Sequence, residues 1–345
     1  MNKLSVAVAI YNIESFLPRC LESLKKAMIN GMEIILVDDG STDSCGDLCD
    51  RFASENQNVK VIHKKNGGLA SARKAGAKAA SGEYIAFLDG DDWVKEDYYS
   101  SIMQQLEKNQ IDVLVTGMTT VIEGNEKKIT HEIESGLYKD EDLSVIRWAC
   151  MFDENFQTKI KPAIFIKVCR LALFCSIADY IDNDINDNED CLFSSAILIK
   201  ARSVLLVSDV VGYCYRENPS SMSRKYSSDY WKDMEHYCQC LEKIWMQLSA
   251  SPDQQLVSCN YAYMIFRYLK REFFADNANS KRERIQIVEK AIDATTYLGE
   301  GLQKLHIKEM KICREWKVLL HLLKKKKVQW VYDILNLVRI CTKRG

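Results

Sequence analysis

The sequence predicts an α/β fold in which a mostly parallel sheet is flanked by helices and followed by an α-helical C-terminal region. Short β-prone apolar runs alternate with stretches of helical periodicity from residue 4 to about residue 116. Polar clusters rich in Asp, Asn and Gly follow the first four of these runs. Such alternation is typical of parallel strands joined by right-handed crossovers, whose ligands bind beyond the carboxyl ends of the strands.

Each strand in this part of the chain is predicted from an apolar run that ends in polar residues. Leu4–Ile10 is such a run, as expected for a strand covered on both faces. Helices are indicated where apolar residues recur three and four positions apart, and Pro18 falls in a first turn, where its missing N–H costs least. The predicted strands are 4–10, 33–37, 59–62, 83–88 and 112–116, and the predicted helices are 15–24, 45–54, 70–80 and 96–108.

The later part of the chain follows a different pattern. Short elements are expected from residue 118 to about residue 225, and only helical periodicity after residue 228. These changes predict three regions, 1–117, 118–225 and 226–345. The C-terminal helices are predicted near 229–248, 252–275, 281–297 and 305–340.

The composition is that of an ordinary globular protein, with 47% hydrophobic residues and 4 Pro in 345 residues. The 13 Cys include no Cys-x-x-Cys pair, so they predict neither a zinc site nor a disulfide framework, and they fit a reducing cytosol. No apolar stretch approaches the length of a transmembrane helix, and the N-terminal run is too short for a signal sequence. We therefore expect a cytoplasmic protein, with the inner face of the cell membrane as a peripheral location.

The charge is distributed unevenly along the chain. The formal net charge is -1, yet residues 301–345 contain 12 Lys and Arg against 3 Asp and Glu, a local excess of +9. Four consecutive lysines at 324–327 precede one helical apolar stripe, formed by Val328, Val331, Tyr332, Leu335 and Val338 and widened by Trp330, Ile334 and Leu337. A basic amphipathic helix of this kind fits an anionic membrane interface. The alternative is a helix that packs on its own domain or on a partner subunit, with its lysines in water.

The most informative segment is the end of the fourth predicted strand, where Asp89, Asp91 and Asp92 place three carboxylates within four residues. Repulsion and desolvation make this arrangement costly, so a cation is expected nearby. Mn²⁺ or Mg²⁺ fits best, because such ions are held by one or two carboxylates together with substrate phosphates. A solvated turn is the alternative, since Asp and Gly are ordinary turn residues.

Other uses of such a sheet fit the sequence less well. No Gly-x-Gly-x-x-Gly motif or Walker lysine loop follows any strand, which argues against a dehydrogenase and a P-loop enzyme. A phosphatase of the Asp-x-Asp type would have Thr or Val two residues after the second Asp, where this chain has Trp93. The run that starts at Asp182 imitates a calcium loop, but Asp187 stands where Gly is needed and Phe193 where Glu is needed.

Asp39 and Arg73 each have a structural and a functional interpretation. Asp39 either begins a turn into a capped helix or accepts a hydrogen bond from a uracil imide or a ribose hydroxyl. The adjacent Asp38 favours the functional interpretation, because a plain turn does not need the added repulsion. Arg73 and Lys65 flank a double glycine, and they either neutralise phosphate or face water at helix ends.

Glu189 and Asp190 precede an apolar helix. The structural interpretation is that both acids favour the dipole at a helix N-terminus that Asn188 caps. The functional interpretation is a general base that takes a proton from an incoming hydroxyl near the metal.

Taken together, these motifs resemble glycosyltransferase family 2, the inverting sugar-nucleotide transferases of GT-A fold, in its bacterial surface-polysaccharide type. The matching segments occur in the family's order, and their combination is highly specific. They are 5–12, 37–43, 66–73, 82–84 and 87–93, followed by a weaker match through 188–193 to Ser223. The chain departs from the family pattern at Ala9, where Pro is usual, and at Ile166, where Asn is usual.

The resemblance implies a single in-line displacement at the anomeric carbon of the donor, with Mn²⁺ or Mg²⁺ bridging its diphosphate. Residues 1–117 would bind the nucleotide-sugar, and 118–225 would bind the acceptor. The implied donor-site residues are Tyr11 and Glu14 in the nucleotide pocket, Asp39 on the base, Arg73 on the donor, Asp89 on the ribose or diphosphate and Asp91 on the metal. Asp190 would be the catalytic base, with Glu189 beside it.

The implied donor is a nucleotide-sugar, with UDP as the expected nucleotide, and the implied acceptor is a glycan or a lipid-linked oligosaccharide. A contact of 324–340 with the inner membrane face is expected, and no nucleic acid. The alternative function is a non-catalytic, sugar-nucleotide-binding partner subunit of a polysaccharide assembly complex.

Overall fold

The structure, a computed structural model, describes residues 3–185, 187–217, 230–274 and 279–342. The chain forms two compact units. The first unit comprises Met1–Cys150, Lys159–Ser221 and Lys243–Ala250, and the second comprises Met151–Thr158, Met222–Glu242 and Ser251–Gly345. Every site residue predicted from the sequence belongs to the first unit. Of the segment that carries the weaker family match, residues 218–223 lie outside the described residues.

The first unit contains two sheets. Its strands are β1 (Leu4–Ile10), β2 (Met32–Asp38), β3 (Val59–His63), β4 (Tyr84–Asp89), β5 (Trp93–Val94), β6 (Val113–Thr116), β7 (Met118–Ile122), β8 (Asn125–Ile129), β9 (Gly136–Lys139), β10 (Lys167–Arg170), β11 (Ser203–Val207) and β12 (Tyr213–Arg216). The larger sheet has the order β3-β2-β1-β4-β10-β6-β11-β9, and the smaller has the order β5-β12-β7-β8. In the larger sheet, β3, β2, β1 and β4 pair in parallel, as do β6 and β11, whereas β10 and β9 are antiparallel to their neighbours. The predicted mostly parallel α/β sheet is confirmed.

Parallel pairing aligns the carboxyl ends of β1, β2 and β4. Ile10 pairs with Asp38, and Ala9 pairs with Asp89, so the polar loops that follow these strands start at one edge of the sheet. All residues of β2 and all but Ala9 of β1 are buried. Burial on both faces is the reason that these strands are continuous apolar runs.

The helices of this unit follow the predicted periodicity. They are α1 (Leu17–Lys26), α2 (Cys45–Glu55), α3 (Leu69–Ala79), α4 (Tyr98–Asn109), α5 (Leu143–Arg147), α6 (Leu171–Ala178) and α7 (Glu189–Lys200). The apolar side chains predicted to share one face of α1 include Leu17, Cys20 and Leu24, and all three are fully buried. The Ala-rich α3 packs on β1 and β2, because its short side chains let the helix axis approach the sheet.

The second unit is helical, as predicted. It contains most of α8 (Tyr230–Gln247), then α9 (Gln254–Phe274), α10 (Lys281–Ala294), a π-helical turn at Thr296–Gly301, α11 (Leu302–Lys304), α12 (Arg314–Lys324) and α13 (Val328–Thr342). No helix among the described ranges is long and apolar enough to cross a membrane.

The single helix predicted near 305–340 is wrong, because the lysine run interrupts it. Lys326 adopts a left-handed φ of 52°, its N–H donates to Leu323 O, and the N–H of Lys327 donates to Leu322 O, each at 2.8 Å. This is the bonding of a Schellman helix end, a position usually occupied by Gly. Since Lys stands there, the composition gave no signal of the break.

The apolar stripe predicted on the last helix divides into two faces. Val328, Val331 and Leu335 are buried, which is the packing expected of a helix on its own domain. Trp330 and Leu337 remain 66% and 62% exposed. Packing on its own domain therefore accounts for the first face and leaves the second face exposed.

Candidate active site

The loops after β1 and β2 hold each other through reciprocal hydrogen bonds. Asn12 Oδ1 accepts from the N–H of Thr42 at 2.8 Å, and Glu14 Oε2 accepts from the N–H of Ser44 at 2.9 Å. In return, Asp43 Oδ2 accepts from the N–H of Glu14 at 3.0 Å. Glu14 thus orders the entry to α2, while Tyr11 projects into solvent with 41% of its surface exposed.

The two acids at the end of β2, Asp38 and Asp39, accept hydrogen bonds from neighbouring residues. Asp38 Oδ1 accepts from the N–H of Ser41 at 2.9 Å, and its Oδ2 lies 3.0 Å from His63 Nδ1. Burial opposes ionisation of Asp38, but hydrogen bonds from Ser41 and His63 outweigh it and lower the pKa of this carboxyl. Asp38 therefore remains ionised, as a brace of the loop.

Asp39 ties this loop to the double glycine. Its carboxylate accepts from the N–H of Gly67 at 3.1 Å, from the N–H of Gly68 at 2.8 Å and from the ammonium of Lys64. Gly68 has φ +84° at the start of α3, and a Cβ on Gly40 would lie 2.7 Å from Asn66 N, so both positions require glycine. The side chain of Asp39 is only 4% exposed.

Asp92 connects the acidic motif at Asp89–Asp92 to strand β12. Tyr213 OH donates to Asp92 Oδ2 at 2.6 Å, and the N–H of Arg216 donates to Oδ1 at 2.7 Å. Arg216 Nε also donates to the main-chain carbonyl of Asp91 at 2.9 Å. Strand β12 thereby fixes the conformation of the motif through Asp92.

Asp91 differs from its neighbours, because its carboxylate accepts no hydrogen bond from any other residue in the described part of the chain. Burial and the nearby charge of Asp89 raise the pKa of Asp91 to about 6, although Arg216 lowers it in part. A carboxylate with free lone pairs and an unfavourable charge fits a divalent cation, which would supply the missing compensation.

Arg73 lies at the centre of the site, with its side chain 1% exposed. Its Nη2 donates to Asp89 Oδ1 and its Nη1 to Glu189 Oε1, both at 3.0 Å. Nη1 also lies 2.6 Å from Asp190 Oδ1, without the alignment of a hydrogen bond. The expectation that Arg73 faces water at a helix end is excluded by this burial.

The acids at the start of α7 carry more negative charge than Arg73 neutralises. Burial raises the pKa of Glu189 despite the attraction of Arg73. Burial, opposed by Arg73 and reinforced by Glu189 and Asp89, raises the pKa of Asp190 to about 7. The side chain of Asp190 is 27% exposed, so a carboxyl group whose pKa lies near neutral pH is accessible from solvent.

The structure thus brings together residues that lie more than a hundred positions apart. Asp89, Glu189 and Asp190 share one guanidinium, and Asp91 is two residues from Asp89. Asn188 precedes α7 but makes no side-chain cap: its φ is +61°, and its amide donates to Asp187. Lys64, the partner of Asp39, was not predicted from the sequence, and Lys65, which was expected either on phosphate or in water, is exposed.

Arg216 is a second residue whose place was not predicted. Its guanidinium lies 4.9 Å from the centre of the Trp93 ring, and Arg19 lies 3.3 Å from the same ring. The signal available in the sequence was the aromatic and basic segment that begins at Tyr213, which the family pattern contains.

Comparisons with known proteins agree with this geometry. The family model described as glycosyl transferase family 2 matches residues 5–177. The chain is 32% identical over 221 residues to an uncharacterized glycosyltransferase, EpsJ, of Bacillus subtilis (strain 168), covering 64% of this chain and 62% of EpsJ. It is 39% identical over 115 residues to the minor teichoic acid biosynthesis protein GgaB of the same organism, covering 32% of this chain and 13% of GgaB.

Among solved structures, S. aureus TarS 1–349 in complex with UDP-GlcNAc superposes with a TM-score of 0.68 at 20% identity, covering 98% of this chain and 91% of that one. This similarity confirms the predicted GT-A fold with its helical C-terminal region. The family match spans half of the chain and includes the loops after β1, β2, β3 and β4. The chain belongs to glycosyl transferase family 2.

Proposed function

We propose that this protein transfers a sugar from a nucleotide-sugar to a hydroxyl group of a glycan or lipid-linked acceptor, with inversion, during surface-polysaccharide synthesis. The observation that carries the proposal is the buried Arg73 guanidinium shared by three carboxylates, Asp89, Glu189 and Asp190, with Asp91 two residues beyond Asp89. The excess negative charge of these carboxylates would stabilise a divalent cation and would favour proton uptake by one of them. The name of GgaB supports a cell-surface polymer as the product, and UDP is the first nucleotide to test because TarS was solved with UDP-GlcNAc.

On the donor side, Asp91 would hold Mn²⁺ or Mg²⁺ through its carboxylate, which accepts a hydrogen bond from no other described residue. When bound, the ion supplies a Lewis acid for the diphosphate leaving group. Asp89 would orient the ribose or diphosphate, while Tyr11 and Glu14 border the nucleotide pocket from the loop after β1. Asp39 would meet the base, and its bonds to Gly67 and Gly68 hold the loop beside it.

On the acceptor side, Asp190 would take the proton from the attacking hydroxyl, with Glu189 beside it. The hydroxyl oxygen then bonds to the anomeric carbon as the bond from that carbon to the diphosphate oxygen breaks. Attack from the face opposite the leaving group inverts the configuration. A pKa near 7 suits this role, because about half of the base is then ionised at neutral pH and the ionised form is basic enough to accept a proton.

Arg73 would act through other residues rather than on the donor itself. It is buried and already holds Asp89 on one side and Glu189 and Asp190 on the other. We therefore assign it a positioning role: it keeps the donor-binding acid and the base in a fixed relation, and the donor senses it through Asp89.

Donor specificity can be tested with a panel of UDP-, GDP- and dTDP-sugars, by following transfer or hydrolysis. Calorimetry of UDP with and without Mn²⁺ then examines the site, and we expect Asp91→Ala to abolish the metal-dependent part of binding. Asp97→Ala is the matched control, since Asp97 is an exposed acid of the same segment. UDP binding that needs no metal and survives Asp91→Ala would instead support the non-catalytic partner subunit.

We also propose that the exposed face of α13 contacts the inner surface of the cell membrane. Trp330, Leu337 and Val338 are more than half exposed, and the exposed Lys325 and Lys327 flank the start of the helix. Apolar and aromatic side chains beside lysines suit an anionic bilayer. The proposal is supported by the resemblance of this exposed face to that of helices that bind bilayers.

The test is flotation with vesicles of phosphatidylcholine containing phosphatidylglycerol. Trp330→Gln combined with Leu337→Gln should reduce binding, while Met246→Gln, at an apolar residue that is 73% exposed on α8, should not. Truncation before α13 is less informative, because it also removes the buried Val328 and Val331. Equal flotation of the double variant and the wild type would exclude this face as the contact.

A further inference from the structure

A buried cation near the proposed base has no part in the transfer as described above. Lys167 is the first residue of β10 and is completely buried. Its Nζ donates to Lys161 O at 2.8 Å and to Ala163 O at 2.9 Å, and it forms no ion pair within the described ranges. A buried ammonium without a carboxylate partner costs free energy. We propose that Lys167 is a positioning residue whose positive charge keeps Asp190 ionised, a role that rests on the proposed function of Asp190 as the base.

The fold places Lys167 at the edge of the sheet where the site lies. Strand β10 is antiparallel to β4, and Cys169 pairs with Ile85, so Lys167 lies two residues further toward the carboxyl end of β4. That end of β4 carries the acidic motif. The 3-10 turn Ile164–Ile166, directly before Lys167, packs on α7, whose second residue is Asp190.

The charges of Lys167 and Asp190 act on each other. Burial lowers the pKa of Lys167, and Cys150, Asp190 and Cys191 raise it in part. Burial raises the pKa of Asp190, and the positive charges of Arg73 and Lys167 oppose this rise. Cys150 is a neutral thiol near neutral pH, because burial raises its pKa as well. Asp190 is the carboxylate of this group.

The acids of the site need a second cation. Asp89, Glu189 and Asp190 share the single guanidinium of Arg73, so three carboxylates face one positive charge. Lys167 adds a positive charge from a different strand, without forming an ion pair that would occupy the oxygens of the base. A neutral donor would satisfy its two main-chain acceptors equally well, so the hydrogen bonds alone do not explain a lysine at this buried position.

The test separates the charge of Lys167 from its hydrogen bonds. In Lys167→Gln the side-chain amide keeps two N–H donors for the carbonyls of Lys161 and Ala163 but carries no charge. The pKa of Asp190 is measured by the pH titration of its carboxyl carbon in protein labelled with ¹³C-aspartate, and Asp190→Asn assigns the resonance. We expect this pKa to rise by about 0.5–1 pH unit in Lys167→Gln, and kcat/KM at pH 6 to fall about three- to tenfold with little change at pH 9.

His131→Gln is the matched control, because His131 holds the same segment of chain. Its Nδ1 accepts from the N–H of Lys161 at 3.3 Å, and its Nε2 lies 2.8 Å from Thr116 O. Burial lowers the pKa of His131 to about 4, so near neutral pH its replacement disturbs the segment without removing a charge. We expect a lower thermal midpoint and an unchanged pKa of Asp190. Lys167→Arg, which keeps the charge, should also leave that pKa unchanged.

A second neutral variant, Lys167→Met, removes the charge and the donors together, so either neutral variant that folds is sufficient for the titration. A raised pKa of Asp190 in the neutral variants alone would support the inference. An equal pKa in the neutral variants and the wild type, or an equal rise in His131→Gln, would overturn it and leave Lys167 as a structural residue. The titration needs no turnover, so it is independent of the transfer assay. A wild-type protein that transfers no sugar from any donor would refute the proposed function, whatever the pKa of Asp190.

Discussion

Two acidic regions of the first unit look alike in sequence and differ in their electrostatics. Asp38 and Asp39 follow β2, and their oxygens accept hydrogen bonds from His63, Lys64 and main-chain N–H groups. Asp89 ends β4 and shares the Arg73 guanidinium with Glu189 and Asp190, whereas Asp91, two residues later, accepts a hydrogen bond from no other described residue. The pKa of Asp38 is accordingly lowered, whereas those of Asp91 and Asp190 are raised to about 6 and about 7.

The difference shows how a carboxylate's partners indicate its use. Where the protein supplies enough hydrogen-bond donors, the carboxylate remains ionised and stabilises the loop that contains it. Where hydrogen-bond donors are too few, the negative charge of the carboxylate destabilises the protein, and a cation, a proton or a substrate is needed to offset this cost. Substitutions should therefore affect mainly function at the second region, whereas at the first they should lower stability and, at Asp39, also the proposed contact with the base.

The largest effect is expected from Asp190→Asn, which keeps the shape of the side chain and removes the base. We expect kcat to fall by about 10³-fold, within the usual range for general base catalysis, with little change in the thermal midpoint. Steady-state kinetics on the donor found in the panel measures it. Asp209→Asn, at an exposed acid of the same unit, is the control, and equal kcat for Asp190→Asn and wild type would remove Asp190 from the mechanism.

Asp91→Asn should reduce metal-dependent transfer by about 10²-fold, because a weaker ligand stabilises the leaving group less. The free energy of unfolding without divalent metal should rise by about 1 kcal/mol, since an unfavourable buried charge is lost. Kinetics over a Mn²⁺ titration and urea unfolding in a chelator measure the two effects. A variant that is less stable than the wild type would mean that Asp91 is a brace like Asp38.

Asp39→Ala, in contrast to Asp91→Asn, should lower the free energy of unfolding, by about 2 kcal/mol. The substitution leaves the N–H groups of Gly67 and Gly68 and the ammonium of Lys64 without their acceptor. Urea unfolding gives the value, with Asp209→Ala as the control for loss of an exposed acid. Unchanged stability would show that the loop does not depend on this carboxylate.

The pH dependence of kcat/KM should reflect the raised pKa of Asp190. Since a base acts only when deprotonated, kcat/KM should fall about tenfold for each pH unit below about 7 and level off above it. The profile is recorded at saturating metal in buffers of constant ionic strength. A plateau that extends down to pH 5 would mean that the attacking hydroxyl loses its proton to another group.

The smallest effect concerns His63, whose pKa is raised by its hydrogen bonds to Asp38 and Asp50. A raised folded-state pKa stabilises the protein below the unfolded value of about 6.5, and this contribution disappears as pH rises through the folded pKa. His63→Gln should therefore lower stability at pH 5.5 by less than about 1 kcal/mol, because the ring is half exposed, and by less at pH 8 than at pH 5.5. A larger loss at pH 8 than at pH 5.5 would contradict the sign of the shift.

The elements that the sequence predicted well are those in which local signals agree. The apolar runs of β1, β2 and β4 and the periodic face of α1 depend on burial patterns that are written in consecutive residues. The break between α12 and α13 was missed, because a left-handed Lys326 carries none of the composition that marks a helix end.

The sequence by itself determined the parallel strands β1, β2, β3 and β4, the order of their polar loops and the family, because strand burial and loop motifs are local properties. Only the tertiary structure decided which acids are satisfied. Whether Asp39 and Asp91 have donors depends on Lys64, Gly67, Gly68 and β12, and the pairing of Arg73 with Glu189 and Asp190 crosses more than a hundred residues. Electrostatic compensation is a sum over neighbours in space, and spacing along the chain does not contain it.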